Sequence, residues 1–220
     1  MKKLFLCAAL LTLMVSACKK KSSDPSTVVT VSFPVITMNN GGYFSIPVGS
    51  SLPSASAVAT AYDTFYKTNC TVVLIDSTVN ANVPGLYYGL ATAKNQYGFI
   101  SFDTFFVAVT NLSGNAQPNL AGTWWQGATD SFNTVLTSLG NGFYSSSNLL
   151  GTNLITNPGT GFSGNIAVIT DSTFAVFFNA ISFVEEGATY NGSLSLATGD
   201  TTMSYDNTPI GGGPVTYTKH

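Results

Sequence analysis

Apolar and polar residues alternate with a period of two in short runs along most of this chain, and the runs are separated by glycine, asparagine, serine and proline. In its first half the pattern predicts strands over residues 28–33 (VVTVSF), 43–48 (YFSIPV), 70–76 (CTVVLID), 85–93 (GLYYGLATA) and 99–110 (FISFDTFFVAVT). Turn chemistry sits between them at Asn39-Asn40-Gly41-Gly42, Gly49-Ser50-Ser51 and Asn95-Gln96-Tyr97-Gly98. A polar break, residues 113–119 (SGNAQPN), divides this half from a second set of short runs. Hairpin signals there fall at Leu139-Gly140-Asn141-Gly142, Thr170-Asp171-Ser172 and Thr198-Gly199-Asp200, with clear alternation over 193–197 and 202–205. No window sustains apolar residues at a period of 3.6, so no long helix is expected. The fold class is all-β: one sandwich over 28–112, a linker over 113–119, and a second antiparallel sandwich or partial barrel over 120–220.

The N-terminus does not share this texture. Met1, Lys2 and Lys3 precede a 12-residue apolar run from Leu4 to Val15, then Ser16-Ala17-Cys18. A short positive region, an apolar stretch and small residues make an export signal over 1–17, and the run is shorter than the ~20 residues a membrane-spanning helix needs. Residues 18–27 read as a polar tether. The tetrapeptide Val15-Ser16-Ala17-Cys18 resembles the bacterial lipobox. That resemblance implies that Cys18 becomes the mature N-terminus and carries acyl chains into a membrane, each buried CH₂ contributing ~0.8 kcal/mol. Lys19, Lys20 and Lys21 follow directly, placed to lie against anionic headgroups.

The resemblance also changes the cysteine count. With Cys7 in the signal and Cys18 acylated, Cys70 alone remains, so no internal disulfide is available. In its apolar run Cys70 reads as a small core residue.

Charge narrows the class of partner. Charged residues make up 8% of the chain against ~25% in average proteins, and there is no arginine. Beyond residue 24, three lysines stand against nine acids, a net of about −6. Nucleic-acid binding, which depends on clustered lysine and arginine, is excluded.

The stretch 33–110 carries a second resemblance. "FPVITMNNGGYFSIPVGSS", "AYDTF" and "VPGLYYGLATAKNQYGFISFDTFFVAV" are similar to the immunoglobulin-like domains of bacterial surface proteins. Tyr87, two residues after Gly85, takes the place of a tyrosine-corner residue whose hydroxyl returns to the backbone. Gly89 stands where the cysteine of the usual inter-sheet disulfide would be. After the break, Leu120-Ala121-Gly122-Thr123-Trp124 followed by Gly142-Phe143-Tyr144 resembles the C-terminal domains of small lipoproteins of the Bacteroidota. These likenesses imply a bacterial envelope lipoprotein of the outer membrane, on its periplasmic or surface side.

Candidate chemistry is sparse. His220 is the last residue and the only histidine, so a histidine triad or a multi-histidine metal site is not expected. Glu185-Glu186 and the scattered aspartates, Asp63 among them, read mostly as solvated or turn-capping groups. No cofactor, metal or catalytic residue is expected. For binding, Trp124, Trp125 and Tyr144 are the candidates, with Tyr97 beside a turn as a further one: in a strand one tryptophan points inward and the other outward, where it can stack on a sugar. The leading reading is therefore a membrane-anchored binding protein with glycan as ligand class, an accessory to polysaccharide utilisation. Its rivals are a structural or assembly subunit contacting envelope proteins and a hydrolase built on two carboxylates.

Overall fold

The structure is a computed structural model and describes residues 30–75, 78–112, 117–126, 132–149, 163–177, 189–196, 201–206 and 214–219. The signal over 1–17, Cys18 and its tether, Glu185-Glu186, His220, the turn at Thr198-Gly199-Asp200 and part of the linker lie outside those residues. Ser32–His220 is one compact unit, and within it the described residues form two sheets. The all-β expectation holds, and among the described residues the helix content is two four-residue turns, the 3-10 turn Asn39–Gly42 and the helical turn Ala55–Val58.

The first sheet is built from β1 (Val35–Met38), β2 (Tyr43–Pro47), β3 (Ala59–Asp63), β4 (Thr68–Ile75), β5 (Gly85–Lys94) and β6 (Ile100–Thr110), in the order β1-β3-β4-β5-β6-β2. Its two edges are consecutive in sequence. The turn Asn39–Gly42, with Asn40, Gly41 and Gly42 at positive φ, carries the chain from one edge to the other and so curls the sheet around its core. β2 then pairs parallel with β6, the one parallel pairing among the described strands. β4 bends between the halves: Thr68–Cys70 pair with β3 and Thr71–Ile75 with β5. The helical turn α1 (Ala55–Val58) begins at Ser54, whose Oγ accepts from Ala57 N at 3.3 Å.

Inside the curl Phe44, Ile46, Val58, Ala91, Phe105 and Val107 pack together. Gly89 lies directly opposite Phe105 and is covered by its ring, and a Cβ at Gly89 would fall 2.6 Å from that ring. A cross-strand aromatic thus covers the glycine of this pair and leaves no room for a larger side chain. Of the strand expected over 28–33, residues 28 and 29 lie outside the described residues and 30–33 are not strand; the first described strand begins at Val35. Pro34 has no N–H for a ladder, and Ser32, just before it, directs its carbonyl and hydroxyl to side chains.

The second sheet runs through β7 (Gly122–Gln126), β8 (Phe132–Gly140), β9 (Phe143–Ser146), β10 (Gly164–Val168), β11 (Thr173–Phe177), β12 (Thr189–Leu196), β13 (Thr201–Asp206) and β14 (Pro214–Lys219). Each strand pairs antiparallel with the next, and β14 returns to β7. Where a second antiparallel sandwich or partial barrel is expected from the sequence, these strands close into a complete eight-stranded barrel. Eight strands enclose just enough space for side chains to fill. Trp124, Leu136, Ile166, Phe174, Met203 and Tyr217 occupy that space.

The wall made of β9, β10 and β11 is buried on both faces. Ile166, Val168, Phe174 and Val176 point into the barrel, whereas Phe143, Ala167, Ala175 and Phe177 pack outward against Tyr43, Leu86, Phe106 and Ala108 of the curled sheet. Phe106 and Phe177 meet at 4.6 Å between ring centroids. Strands covered on two sides favour apolar residues at successive positions, which explains the unbroken runs "IAVI" (166–169) and "FAVF" (174–177). Polar bonds fix the same junction: buried Thr110 Oγ1 donates to Ile169 O at 2.6 Å, and Asn141 Nδ2 donates to Tyr43 O at 2.9 Å.

Candidate functional site

The aromatic candidates from the sequence are divided by the barrel. Trp124 faces inward and is fully buried, with Nε1 donating to Leu120 O at 2.7 Å and Lys219 Nζ 5.9 Å above its ring. Tyr144 is also a core residue, and its hydroxyl donates to Pro118 O at 3.0 Å. Neither ring has a free face for a ligand, because inward-pointing positions of a filled barrel are packing positions. Trp125, on the opposite side of β7, is half-buried between Asn133 and Thr218 on the neighbouring strands. Tyr87, on the curled sheet, donates its hydroxyl to Val83 O at 2.9 Å, with its ring lying over Gly85.

A different aromatic group stands at one end of the curled sheet, and two polar side chains build it. Asp63 closes β3 and caps the hairpin to β4: its Oδ1 accepts from Phe65 N and Tyr66 N, both at 3.0 Å. Asn95 closes β5 in the same way, its Oδ1 accepting from Tyr97 N and Phe99 N, also at 3.0 Å. The two caps are joined, since Asn95 Nδ2 donates to Asp63 Oδ2 and to Ser32 O at 2.8 Å each. Ser32 Oγ completes the set by donating to Asp63 Oδ1 at 2.9 Å. Three chain segments are thus tied through one buried carboxylate and one buried carboxamide.

The turns held in this way display aromatic rings. Phe65 and Tyr66 meet edge to face at 4.9 Å, and Tyr66 and Tyr97 lie tilted at 4.4 Å. Phe33 and Phe99 form a further edge-to-face pair at 5.5 Å. Phe65 is 56% exposed and Tyr97 49% exposed, on turns where large apolar groups are not needed for folding. Lys67, at φ +54°, and Gly98, at φ +91°, supply the left-handed residues that let both turns close so tightly.

Electrostatics at this end follow from Asp63. Desolvation alone would raise its carboxyl, but hydrogen bonds from Tyr66 N, Asn95, Ser32 and Phe65 N prevail and hold it below the usual carboxylate value. Partial burial, then Tyr97 and the Asp63 carboxylate, push the Tyr66 phenol up, so it stays neutral and can both donate and accept hydrogen bonds. Half-buried Cys70, opposite Ala61 on β3, is raised by burial and then by Asp63, and is a protonated thiol.

Because the folded-state value of Asp63 is the lower one, its contribution to stability is complete above the unfolded value near 3.8 and is lost as pH falls through the folded value. Thermal melts between about pH 5 and pH 2 are expected to show falling stability, with a smaller slope in Asp63→Asn. Equal slopes in the two proteins would contradict this assignment.

A concavity of about 270 Å³ lies where the curled sheet meets the barrel, lined by Ser45, Pro47, Thr110, Leu112, Gln117 and Asn141. Its polar groups are engaged in the junction itself: Gln117 Nε2 donates to Ser45 Oγ, and Thr110 Oγ1 also accepts from Leu112 N. It falls below the ~300–1,000 Å³ of ordinary small-molecule pockets.

Sequence reasoning missed Phe65 and Tyr66. The signal for them is an aspartate at a strand end followed at two and three residues by aromatics, paired with Asn95-x-Tyr97-Gly98.

No protein-family model matches the chain. No curated protein matches it either. Among solved structures, a lipoprotein from Bacteroides thetaiotaomicron aligns with 17% identity over 86% of this chain and 100% of its own, with a TM-score of 0.35. A structure of the ZmpB catalytic domain with two CBM51 domains, from Clostridium perfringens, aligns at 14% identity over 70% of this chain and 15% of its own, with a TM-score of 0.31. A third, the second CBM51 domain of ZmpB with GlcNAc and INT domains, aligns at 13% over 77% and 31%, again with a TM-score of 0.31. Likenesses of this degree decide neither the details of the fold nor an activity.

Proposed function

We propose that the protein is an extracytoplasmic binding protein whose ligand is a neutral glycan held on the Phe65–Tyr66–Tyr97 platform. The observation that carries this reading is the pairing of exposed rings with a buried Asp63–Asn95 lock. Rings fixed before binding lose little entropy when a ligand arrives, and the C–H face of a sugar stacks on an aromatic face. Phenol hydroxyls at the same place offer hydrogen bonds to sugar hydroxyls. A fold of about −6 net charge disfavours polyanionic ligands and leaves neutral ones.

The rest of the reading comes from the sequence. Residues 1–17 direct export, Cys18 is acylated, and 18–27 tether the fold to the outer membrane as a lipoprotein serving polysaccharide utilisation. The curled sheet is the immunoglobulin-like domain over 28–112, with Tyr87 as its corner tyrosine. The barrel, 120–220, follows the linker 113–119 and carries Trp125 as a secondary contact. No helix among the described residues is long and apolar enough to cross a membrane, and the proposed attachment needs none.

Titration calorimetry against neutral polysaccharides chosen from a glycan array tests the reading. Binding is expected to weaken about tenfold or more in Phe65→Ala/Tyr97→Ala, with the melting temperature nearly unchanged because both rings are exposed. Binding that survives the double variant but is lost in Trp125→Ala would move the site to the barrel. No binding to any glycan would end the proposal.

A further inference from the structure

The end of the curled sheet that carries the aromatic turns is also the end at which the chain enters the fold. Ser32 is held there through its hydroxyl and carbonyl, bonded to Asp63 and Asn95, so the segment before it starts from this place. Phe33, the next residue, is exposed and pairs edge to face with Phe99. Charge marks the same end. Of the three lysines beyond residue 24, Lys219 belongs to the barrel, where it donates to Ala121 O at 2.6 Å. The other two stand here, both exposed: Lys67 on the β3–β4 turn, and Lys94 closing β5 with its Cε 3.5 Å from where a Cβ on Gly98 would stand. Over the turn residues 63–68 and 94–99 the one acid is Asp63, which is buried and accepts from Ser32, Phe65 N, Tyr66 N and Asn95. A fold of about −6 net charge thus has an end at which the exposed turn charges are positive.

We propose that this end rests on the bilayer that holds the acylated Cys18, with Phe33, Phe65 and Tyr97 at headgroup level and Lys67 and Lys94 against anionic headgroups. The inference rests on the proposed acylation and not on glycan binding. Ser32 stands 14 residues after Cys18, and a flexible chain of that length spans about 20 Å on average and about 50 Å at full stretch. A short flexible link of this kind gives an effective concentration in the millimolar range. A contact too weak to hold a free protein on a membrane is then enough to hold this one. Aromatic rings settle at the membrane–water interface, and each lysine beside an anionic surface strengthens the contact about fivefold. The Asp63–Asn95 bond fixes the two turns before contact, so little order is lost on docking. Because the rings are those of the proposed glycan platform, bilayer and glycan exclude one another, and the contact regulates that site. A glycan gains the rings by lifting the fold off the membrane.

Tryptophan reporters in the full acylated protein test this, in vesicles of phosphatidylethanolamine and phosphatidylglycerol with brominated acyl chains. Gln96→Trp places a reporter on the Tyr97 turn, and Val135→Trp places one on the exposed side of the barrel strand β8. The control is remote, since β6 runs from Ile100 at this end to Thr110 at the barrel junction, about 33 Å at ~3.3 Å per residue. Emission added by Gln96→Trp is expected to be quenched at least about threefold more than that added by Val135→Trp. The difference should shrink at least about twofold in Lys67→Glu/Lys94→Glu and, independently, in Phe33→Ser/Phe65→Ser, with melting curves close to that of the parent. A reduction in either variant supports the contact. Equal quenching of the two reporters overturns the proposal, as does a difference that survives both variants, because the tether alone then accounts for it. A mature N-terminus that carries no acyl chains, read by mass spectrometry, overturns it too and leaves the glycan reading standing. Absence of glycan binding in calorimetry ends that reading alone, and the quenching difference is expected all the same.

Discussion

Trp124→Ala is expected to destabilise the barrel strongly rather than to weaken a binding surface. The indole is fully buried among Leu136, Tyr217 and their neighbours, and deleting a buried Trp costs about 3–5 kcal/mol through lost transfer energy and the cavity left behind. The Leu120 carbonyl also loses the donor it meets at 2.7 Å, and Lys219 loses the ring beneath its ammonium. Against a total stability of about 5–15 kcal/mol this is a large fraction, and the melting temperature should fall by about 10 °C or more. Trp124→Phe keeps most of the packing and forfeits the hydrogen bond, so it should sit between parent and alanine variant. Parent-like melting of the alanine variant would show that the ring does not support the core. Trp125→Ala, from a half-buried outward position, should cost far less.

Asn95→Ala should produce the second largest loss and link stability to function. Its carboxamide donates to the Asp63 carboxylate and the Ser32 carbonyl and accepts from the backbone of Tyr97 and Phe99. Alanine removes all four bonds and leaves buried partners without substitutes, a cost of about 2–4 kcal/mol. The Tyr97 turn then loses its tie to the Phe65–Tyr66 turn. Glycan affinity should therefore fall even though Asn95 itself, being buried, touches no ligand. Hydrogen exchange at Tyr97 and Phe99 measures the structural half, and calorimetry the functional half. Unchanged exchange at both amides would show that the side chain does not hold the turn.

The alternation of the chain was enough to locate β2, β5 and β6, because each carries β-branched or aromatic residues bounded by glycine or asparagine turns. β3 escaped for a physical reason. Its inward positions are Ala59, Ala61 and Asp63, two small residues and a carboxylate, so the strand lacks the bulky alternation that marks the others. Asp63 was readable as a turn-capping aspartate, and it is one. Its bond to Asn95 was not readable, because 32 residues separate them and only the fold brings the two turns together. Alternation likewise said that one of Trp124 and Trp125 points inward without saying which. That depends on the register of β7 in the closed ladder, where β14 and β8 on either side settle which face is inside. Tyr144 looked turn-adjacent and proved buried, since β9 belongs to the wall between two cores.

Closure of the barrel has a consequence for chains crowded side by side. A ring in which β14 bonds to β7 has no first or last strand, so it offers no row of vacant amides and carbonyls on which a neighbouring chain could begin a fibril. The curled sheet does have two outer strands, but they are only four and five residues long, and Pro34 and Pro47 flank or end them with positions that cannot donate. Backbone pairing between copies is thereby closed off at the barrel and confined to two short, proline-flanked edges at the curled sheet. A molecule this rich in β-structure and this poor in charge can thus be packed densely without relying on electrostatic repulsion to keep it from aggregating.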